Sequence, residues 1–178
     1  MEKLPLLWLD LEMTGLDADK DVILEIAMIA TDFNLETMIE GPHLIIHQSE
    51  ETLQDMSRWV RDIHTKSGLL ERVASSRMTV QETETEALSF VDEVCAKNFH
   101  FVGNSIYQDR SFLKRYMSKL NAKAHYRLID VSTLKVLIKA WYPQSLENVF
   151  KKSKTHRALD DVRESILELR HFRKFFFK

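Results

Sequence analysis

The segment LPLLWLDLE, residues 4–12, places two carboxylates in an otherwise apolar run. Such a run is typical of a buried β-strand. Because side chains alternate along a strand, Asp10 and Glu12 share one face, while Leu9 and Leu11 point to the other. Two acids on so apolar a strand are costly unless they are paired or bound to a cation. Hard cations prefer oxygen ligands, so the segment predicts either a magnesium or manganese site or a strand end that emerges into solvent.

The segments that follow this strand predict an antiparallel sheet and then helices. Residues 22–31 (VILEIAMIAT) and 37–47 (TMIEGPHLIIH) are rich in apolar and β-branched residues, as strands are. Residues 14–19 form a turn-rich connection, so three consecutive strands with short connections predict a meander. From residue 53 the apolar positions recur every three or four residues, which indicates a change to helix.

The second half of the chain predicts alternating helices and strands. Thr79 and Glu82 have the spacing of a capping box, which predicts the start of a helix. The predicted elements from that point are a helix over 79–97, a strand over 100–103, a helix over 108–120, a strand over 126–130, and helices over 132–140 and 157–177. This order predicts one α/β domain over residues 1–178, with a central mixed β-sheet flanked by helices.

Composition narrows the class of protein. Four glycines and three prolines in 178 residues argue against long linkers and disorder. The single cysteine, Cys95, excludes an internal disulfide and a cysteine-rich zinc site, and its apolar neighbours predict a buried thiol. The longest apolar runs fall well short of the roughly 18 residues of a membrane span. The first residues fit neither a signal nor a transit peptide, so we expect a cytoplasmic protein with no membrane partner.

The charge is unevenly distributed along the chain. Residues 1–64 carry a net charge of −10, whereas residues 109–141 carry +6 and residues 142–178 carry +4. An acidic front and a basic back are compatible with metal ligands at one end and phosphate contacts at the other, and also with solvated helix faces. The net charge of −2 excludes a strongly basic protein that holds long nucleic acid by counterion release.

Three further residues complete an acidic constellation. Asp109 follows the predicted strand and turn FVGNSIYQD, near a helix start, where an acid also suits the helix dipole. In THRALDDV, Asp161 borders the apolar face of the last predicted helix, whereas Asp160 lies opposite it. His156 must then precede the helix to cooperate with Asp161, unless it is a surface histidine. Four carboxylates can hold two divalent ions ~4 Å apart, and a neighbouring histidine can take a proton from water.

Several motifs resemble one enzyme family. WLDLEMTGL, the segment around Asp109, and HRALDD resemble the DEDDh group of 3′-to-5′ exonucleases, which have a ribonuclease H-like fold. Within that group the chain is most similar to the oligoribonucleases, and the likeness covers essentially the whole chain. The segments that carry it are MTGLD (13–17), WVRDIHTKSGLL (59–70), GNSIYQDRSFL (103–113), YRLIDVSTLK (126–135) and THRALDDV (155–162).

The resemblance implies an activity, a cofactor and a partner. We expect a homodimer that binds short single-stranded RNA of about two to five nucleotides, and dinucleotides above all. It would release nucleoside 5′-monophosphates from the 3′ end with two Mg²⁺ or Mn²⁺ ions. By motif match the metals would be held by four carboxylates and His156 would be the general base; the four are Asp10, Glu12, Asp109 and Asp161.

The resemblance also implies substrate-binding residues. Leu16, Trp59, His64 and Ser105 would bind in the same subunit, and Tyr126, Arg127 and Ser132 would come from the neighbouring subunit to close the site around the substrate's 5′ end. The rings of Trp59 and His64 can stack on bases, and the planar fork of Arg127 can pair with a phosphate. Spacing alone would place Trp59 in the core, and capping of a helix would explain Ser132 equally well.

Two other functions stay open at this point. A relative that trims structured RNA or proofreads DNA would share the carboxylates, although weak basicity and the Tyr126–Arg127 segment count against it. A catalytically silent module that binds short RNA or a protein is the second alternative. The C-terminal RHFRKFFFK is expected to pack into the core or a dimer interface rather than to contact nucleic acid.

Overall fold

The structure, a computed structural model, describes residues 2–144, 150 and 157–177. A five-stranded mixed sheet lies at its centre, in the order β3-β2-β1-β4-β5. Strands β1 to β3 pair antiparallel, and β4 and β5 continue the sheet parallel to β1. The strands are β1 (Leu4–Met13), β2 (Ile23–Thr31), β3 (Met38–Ile45), β4 (Cys95–Gly103) and β5 (Ile129–Asp130).

Eight α-helices are found among the described residues. Three short ones follow the meander, and longer ones cover the two faces of the sheet. They are α1 (Glu50–Gln54), α2 (Arg58–Lys66), α3 (Leu69–Ser75), α4 (Val80–Val94), α5 (Ile106–Tyr116), α6 (Ser118–Lys123), α7 (Val131–Trp141) and α8 (Ala158–Phe176). In the part of the chain that the structure describes, no helix combines the length and the apolar character needed to cross a membrane.

Strand β1 is buried on both faces and separates two hydrophobic clusters of the core. Leu7 and Leu9 pack with side chains of α4, α5 and α6, such as Ala87, Phe112 and Leu120. Leu6 and Trp8 pack with side chains of α7 and α8 on the opposite face, which include Val131, Ile138, Val162, Ile166 and Phe172. Because side chains alternate along a strand, Asp10 and Glu12 point to the face of Leu6 and Trp8, which α8 covers.

Most predicted helices and strands are confirmed. Where their ends differ from the prediction, contacts between distant segments override the local sequence pattern. The antiparallel meander is present, and Thr79 and Glu82 form the predicted capping box at the start of α4. The prediction that this helix runs to residue 97 is wrong. It ends at Val94, because Cys95 already pairs with Leu4 of β1. Pairing with a distant strand therefore overrides local helix propensity here.

Two other predicted elements differ from the structure. The helix predicted over 108–120 is two helices, α5 and α6, separated by Met117 with non-helical backbone. The strand predicted over 126–130 is only Ile129–Asp130, so residues 126–128 lie outside the sheet. Phe172 is buried in the core, as expected for the C-terminal helix. Cys95 is also buried, and burial raises the pKa of its thiol to about 12.

Candidate active site

Strand β1 and helix α8 bring three carboxylates together. One ligand oxygen from each of Asp10, Glu12 and Asp161 lies within 4.8 Å of the others, and all three residues are half-buried. The alternation of β1 puts the first two on one face, and the first turn of α8 puts Asp161 across from them. The neighbouring Asp160 points away: its side chain is 42% exposed and lies 3.6 Å from Arg163. Helix geometry therefore separates the adjacent aspartates as predicted.

Asp109 lies beside these three residues and also ties two elements together. It is buried in the first turn of α5, and its Oδ1 accepts a hydrogen bond of 2.9 Å from the backbone N–H of Leu11. Leu11 lies between Asp10 and Glu12, so this bond ties α5 to the strand segment that carries both. Burial raises the pKa of Asp109 to about 7.

The electrostatics of Glu12 favour a bound cation. Its pKa is raised to about 8, chiefly by burial and then by the negative charges of Glu25, Asp161 and Asp109. A divalent cation among these oxygens would offset both the burial and the repulsion. The donor set of Asp10, Glu12 and Asp161 is entirely carboxylate oxygen, which suits Mg²⁺ or Mn²⁺. The residues present therefore fit a hard divalent ion.

Sequence reasoning missed Glu25. It lies directly opposite Glu12 in the β1–β2 register and is fully buried. His43 on β3 approaches its Oε1 at 2.5 Å and Arg72 on α3 at 3.4 Å. Burial opposes its ionisation, but these partners outweigh burial and lower its pKa. The signal in the sequence was a lone acid within the apolar strand VILEIAMIAT.

Glu25 lies near the start of the helix that carries Asp161. The backbone N–H of Ala158, the first residue of α8, is among the groups that lower the pKa of Glu25, and Asp161 lies in the first turn of the same helix. The charge of Glu25 in turn helps to raise the pKa of Glu12. A buried acid in such surroundings needs partners of its own, which His43 and Arg72 supply.

A small pocket opens next to Glu12. Its volume is about 210 Å³, and Leu16, Trp59 and His64 are among its lining residues. Leu16 and Trp59 are 70% and 72% exposed, so the alternative that Trp59 belongs to the core is wrong. His64 is buried instead: its Nε2 donates to the carbonyl oxygen of Met13 at 2.9 Å. Its Nδ1 lies 3.8 Å from Glu12 Oε2, so His64 connects the pocket to the acidic cluster.

The turn that presents Leu16 is organised by Asp21. The Asp21 carboxylate accepts bonds of 2.9 Å from the hydroxyl of Thr14 and from the backbone N–H of Asp17. The carboxylate is so close to Gly15 that a Cβ at this position would lie 2.4 Å from its Oδ2. Only glycine fits this approach without a shift. Leu16 is held further by its carbonyl oxygen, which accepts from the side-chain amide of Gln108 on α5.

Ser105 and Ser132 lie side by side within one chain. Their hydroxyl oxygens are 3.4 Å apart, and Asp130 Oδ1 accepts 2.9 Å bonds from both backbone N–H groups. Asp130 is thus the cap of α7, whereas the Ser132 hydroxyl donates to Asn104 at 3.0 Å. Ser132 therefore lies beside Ser105 of its own chain, and its expected contribution to a neighbouring subunit's site stays a prediction.

Tyr126 and Arg127 are not brought to this site. Tyr126 and Arg127 lie outside the pocket lined by Trp59 and outside the acidic cluster. Tyr126 is 69% exposed, and Arg127 lies over its ring, 5.0 Å from the centroid. His156, the predicted general base, lies outside the described residues. The structure thus brings together the carboxylates and the residues around one base-sized pocket.

Asn104 links the serine pair to α8. Its side-chain nitrogen donates to the Ser165 hydroxyl at 2.8 Å and approaches Glu168 at 3.2 Å. Ser165 in turn donates to the backbone carbonyl of Asp161 at 2.7 Å, and Lys135 pairs with buried Glu168 at 2.6 Å. A buried polar network of this kind holds its members in a single arrangement when its bonds are satisfied.

Comparison with known proteins identifies the relatives of this chain. A family model described as exonuclease matches residues 7–169. Curated oligoribonucleases from Pseudomonas paraeruginosa strain PA7 and Pseudomonas aeruginosa strain PAO1 are each 52% identical over 174 residues, 97% of this chain and 96% of the relative. The oligoribonuclease of Vibrio vulnificus strain CMCP6 is 51% identical with the same coverage.

Solved structures with the same fold are more distant in sequence. Exonuclease I from Methylocaldum szegediense superposes with a TM-score of 0.67 at 17% identity, covering 97% of this chain and 41% of the other. The Mg²⁺- and Mn²⁺-bound form of Pop2p from S. pombe has a TM-score of 0.67 at 14% identity, covering 98% of this chain and 84% of the other. These likenesses establish the ribonuclease H-like exonuclease fold.

Proposed function

Since the chain belongs to the exonuclease family and, within it, to the oligoribonucleases, we propose that it hydrolyses short oligoribonucleotides from their 3′ end to nucleoside 5′-monophosphates. The substrates are single strands of about two to five nucleotides, with dinucleotides preferred. One exonuclease domain over residues 1–178 carries this activity. The observation that supports it most directly is the convergence of Asp10, Glu12 and Asp161 within 4.8 Å, beside a base-sized pocket.

Two divalent ions, Mg²⁺ or Mn²⁺, are proposed as the cofactors. Asp10, Glu12 and Asp161 would hold them together with Asp109, once its carboxylate is shared between the Leu11 N–H and an ion. When bound, the ions supply Lewis acidity toward the scissile phosphodiester and its leaving 3′ oxygen. A site of four acids without cations is costly, as the raised pKa values of Glu12 and Asp109 indicate.

The chain's own residues orient the substrate and move the proton. His156 is proposed as the general base that takes a proton from the attacking water, because a histidine titrates near neutral pH. The base of the 3′ nucleotide would lie in the pocket between Leu16 and Trp59. Stacking on Trp59 would stabilise it by roughly 1–3 kcal/mol. His64, which bonds Met13 and faces Glu12, keeps the pocket aligned with the carboxylates.

The 5′ end of the substrate is proposed to be closed off rather than passed onward. Ser105 and Ser132 of one chain present two adjacent hydroxyls here, and that of Ser105 can donate to a phosphate, whereas that of Ser132 donates to Asn104. Tyr126 and Arg127 of a partner subunit would complete this closure, since in their own chain they lie outside the site. A closed 5′ end favours dinucleotides because a longer strand has no exit.

A homodimer is part of the proposal, and the surface of α7 and α8 supports it. Several large apolar side chains there are 46–65% exposed: Val136, Trp141, Leu167, Phe175 and Phe177. Apolar side chains exposed together on a monomer often mark a surface that a partner covers. A sedimentation mass near twice the chain's 20.9 kDa supports the dimer, and a monomer mass would contradict it. The cytoplasmic location stays a prediction.

The deciding experiment is hydrolysis of 5′-labelled RNAs of two, three, five and twenty nucleotides at matched concentrations. We expect the dinucleotide to be cleaved fastest, with Mg²⁺ or Mn²⁺ present, and EDTA to abolish cleavage. Cleavage of the twenty-nucleotide RNA at an equal or greater rate would contradict the closed 5′ end. Absence of cleavage at every length would favour a binding module instead.

A further inference from the structure

The segment that carries Tyr126 and Arg127 is held in place by side chains that no motif singled out. Residues 124–128 lie between α6 and β5 and form no regular element. Their backbone groups therefore need partners other than a sheet ladder. His125 N–H donates to the carbonyl oxygen of Phe99 on β4 at 2.8 Å, which anchors the segment to the sheet.

Two histidines hold both backbone polar groups of Arg127. The Arg127 N–H donates to Nδ1 of His125 at 3.1 Å. The Arg127 carbonyl oxygen lies 3.1 Å from Nδ1 of His100, which must donate because a carbonyl can only accept. The two rings are 4.6 Å apart between centroids. The main chain of Arg127 is thus fixed on one side by an acceptor nitrogen and on the other by a donor nitrogen.

Tyr126 is held by His125 as well, and by Arg110. Its ring lies 4.4 Å from that of His125 between centroids, and its carbonyl oxygen accepts from Arg110 at 2.6 Å. Arg110 follows Asp109 on α5 and also bonds Asn121 on α6. The guanidinium of Arg127 then lies over the Tyr126 ring, which continues the stack.

We propose that His125 is a positioning residue for the substrate's 5′ end, and that it holds Arg127 and Tyr126 in place only in its neutral form. This rests on the proposed function, which assigns those two residues to the 5′ end. Neutral His125 accepts at Nδ1, whereas protonation places a hydrogen on Nδ1 that faces the Arg127 N–H. His100 donates in either protonation state, so its protonation does not break its bond to Arg127.

The surroundings of His125 keep it neutral at ordinary pH. The titratable and charged groups that face it are His100 on β4, Arg110 on α5, and Tyr126 and Arg127 on its own segment. Partial desolvation, followed by the charges of His100, Arg127 and Arg110, lowers the pKa of His125 below its ordinary value. Binding of the substrate's 5′ end by Arg127 and Tyr126 should therefore be intact at neutral pH. It should weaken only when the pH falls below the usual range in which histidine titrates.

Two substitutions distinguish the role of the His125 hydrogen-bond acceptor from that of its aromatic ring. His125→Phe keeps a ring beside Tyr126 but loses the acceptor, and His125→Asn keeps an acceptor oxygen but does not titrate. Kinetics would be measured on a 5′-phosphorylated dinucleotide and on the nitrophenyl ester of a nucleoside 5′-monophosphate. The ester has the same kind of scissile bond and no 5′ nucleotide, so it reports the chemistry alone. His47→Asn, at a histidine remote from this segment, controls for loss of any histidine.

At about pH 7.5 we expect His125→Phe to raise KM for the dinucleotide about tenfold with kcat little changed, and His125→Asn to restore it to within about threefold. Neither variant should change KM for the ester. Toward about pH 5.5 the dinucleotide KM of wild type and of His47→Asn should rise more than that of His125→Asn. Titration of the substrate phosphate affects the KM of all three enzymes equally. It therefore cancels when the KM of each enzyme at low pH is compared with that of His125→Asn.

Three results would overturn the inference. They are an unchanged dinucleotide KM in His125→Phe, an equal loss on dinucleotide and ester, or the same pH profile in wild type and His125→Asn. Failure of the proposed function looks different. In that case the wild-type protein itself would not hydrolyse the dinucleotide or would prefer the twenty-nucleotide RNA, and the inference would fall with it.

Discussion

The acidic cluster and the segment 124–128 are held by different means. Asp10, Glu12 and Asp161 come from the middle of the sheet and the first turn of a long helix, and their positions follow from buried apolar packing on both sides. Residues 124–128 are partly exposed, belong to no element, and depend on a few hydrogen bonds to histidine and arginine. On the function and the inference that we propose, the chemistry is built on rigid elements, and substrate selection is built on a segment that a single proton can alter.

Asp161→Asn tests the rigid half and should have the largest effect. We expect kcat to fall by roughly 10²–10³-fold or more, because a charged ligand is lost where the ions bind. The fold should persist, since the change relieves repulsion among carboxylates and opens no cavity. The measurement pairs dinucleotide turnover with thermal unfolding. Asp160→Asn on the same turn, where the Asp160 side chain is 42% exposed, is the control. Equal losses of kcat in both variants would contradict the assignment of Asp161 as a metal ligand.

Trp59→Ala tests the pocket between the two regions. Loss of base stacking should lower kcat/KM for the dinucleotide about tenfold to a hundredfold. Trp59 is 72% exposed, so stability should change little. Phe33→Ala removes another exposed aromatic, 62% exposed and outside the pocket, and should leave the kinetics unchanged. If the Trp59 variant cleaves the dinucleotide normally, the pocket does not bind a base.

Arg127→Ala tests the exposed segment. We expect about a tenfold loss of kcat/KM on a 5′-phosphorylated dinucleotide, since one charge-assisted contact is removed. The loss on a twenty-nucleotide RNA should be far smaller, because a strand too long for the closed site gains little from Arg127 in the first place. Competition between the two labelled substrates in one tube measures the ratio directly. A ratio that stays at its wild-type value would show that Arg127 does not select by length.

The pH dependence of stability also depends on the acidic cluster, and it concerns unfolding rather than turnover. Folding raises the pKa of Glu12 from 4.5 to about 8 and that of Asp109 from 3.8 to about 7. The folded state therefore binds more protons than the unfolded state between these values, and the free energy of unfolding falls as the pH rises.

In EDTA we expect Tm to drop as the pH rises from about 4.5 to 8, and each kcal/mol of lost stability lowers Tm by about 2–4 °C. Glu12→Gln should flatten this dependence because it removes the group with the largest shift. Mg²⁺ should restore Tm at high pH in the wild type by binding the ionised acids. Differential scanning calorimetry with and without Mg²⁺ measures both, and a profile in Glu12→Gln as steep as in wild type would contradict this origin.

Local patterns were sufficient wherever the deciding contact is close in sequence. Strand alternation paired Asp10 with Glu12, and helix geometry distinguished Asp161 from Asp160. The capping box at Thr79 was read correctly for the same reason, since its two members are three residues apart. The family resemblance supplied the substrate residues, and of these the structure gathers Leu16, Trp59 and His64 around one pocket.

The sequence alone determined the order of the meander strands, the main helices, and the faces on which Asp10, Glu12 and Asp161 lie. These features follow from periods of two and 3.6 residues. Only the tertiary structure placed Glu25 opposite Glu12, buried His64 beside Met13, and set Ser132 next to Ser105 in one chain. It alone brought His100 and His125 to Arg127. Strand register and contacts between distant segments decide these positions, and neither leaves a periodic trace in the chain.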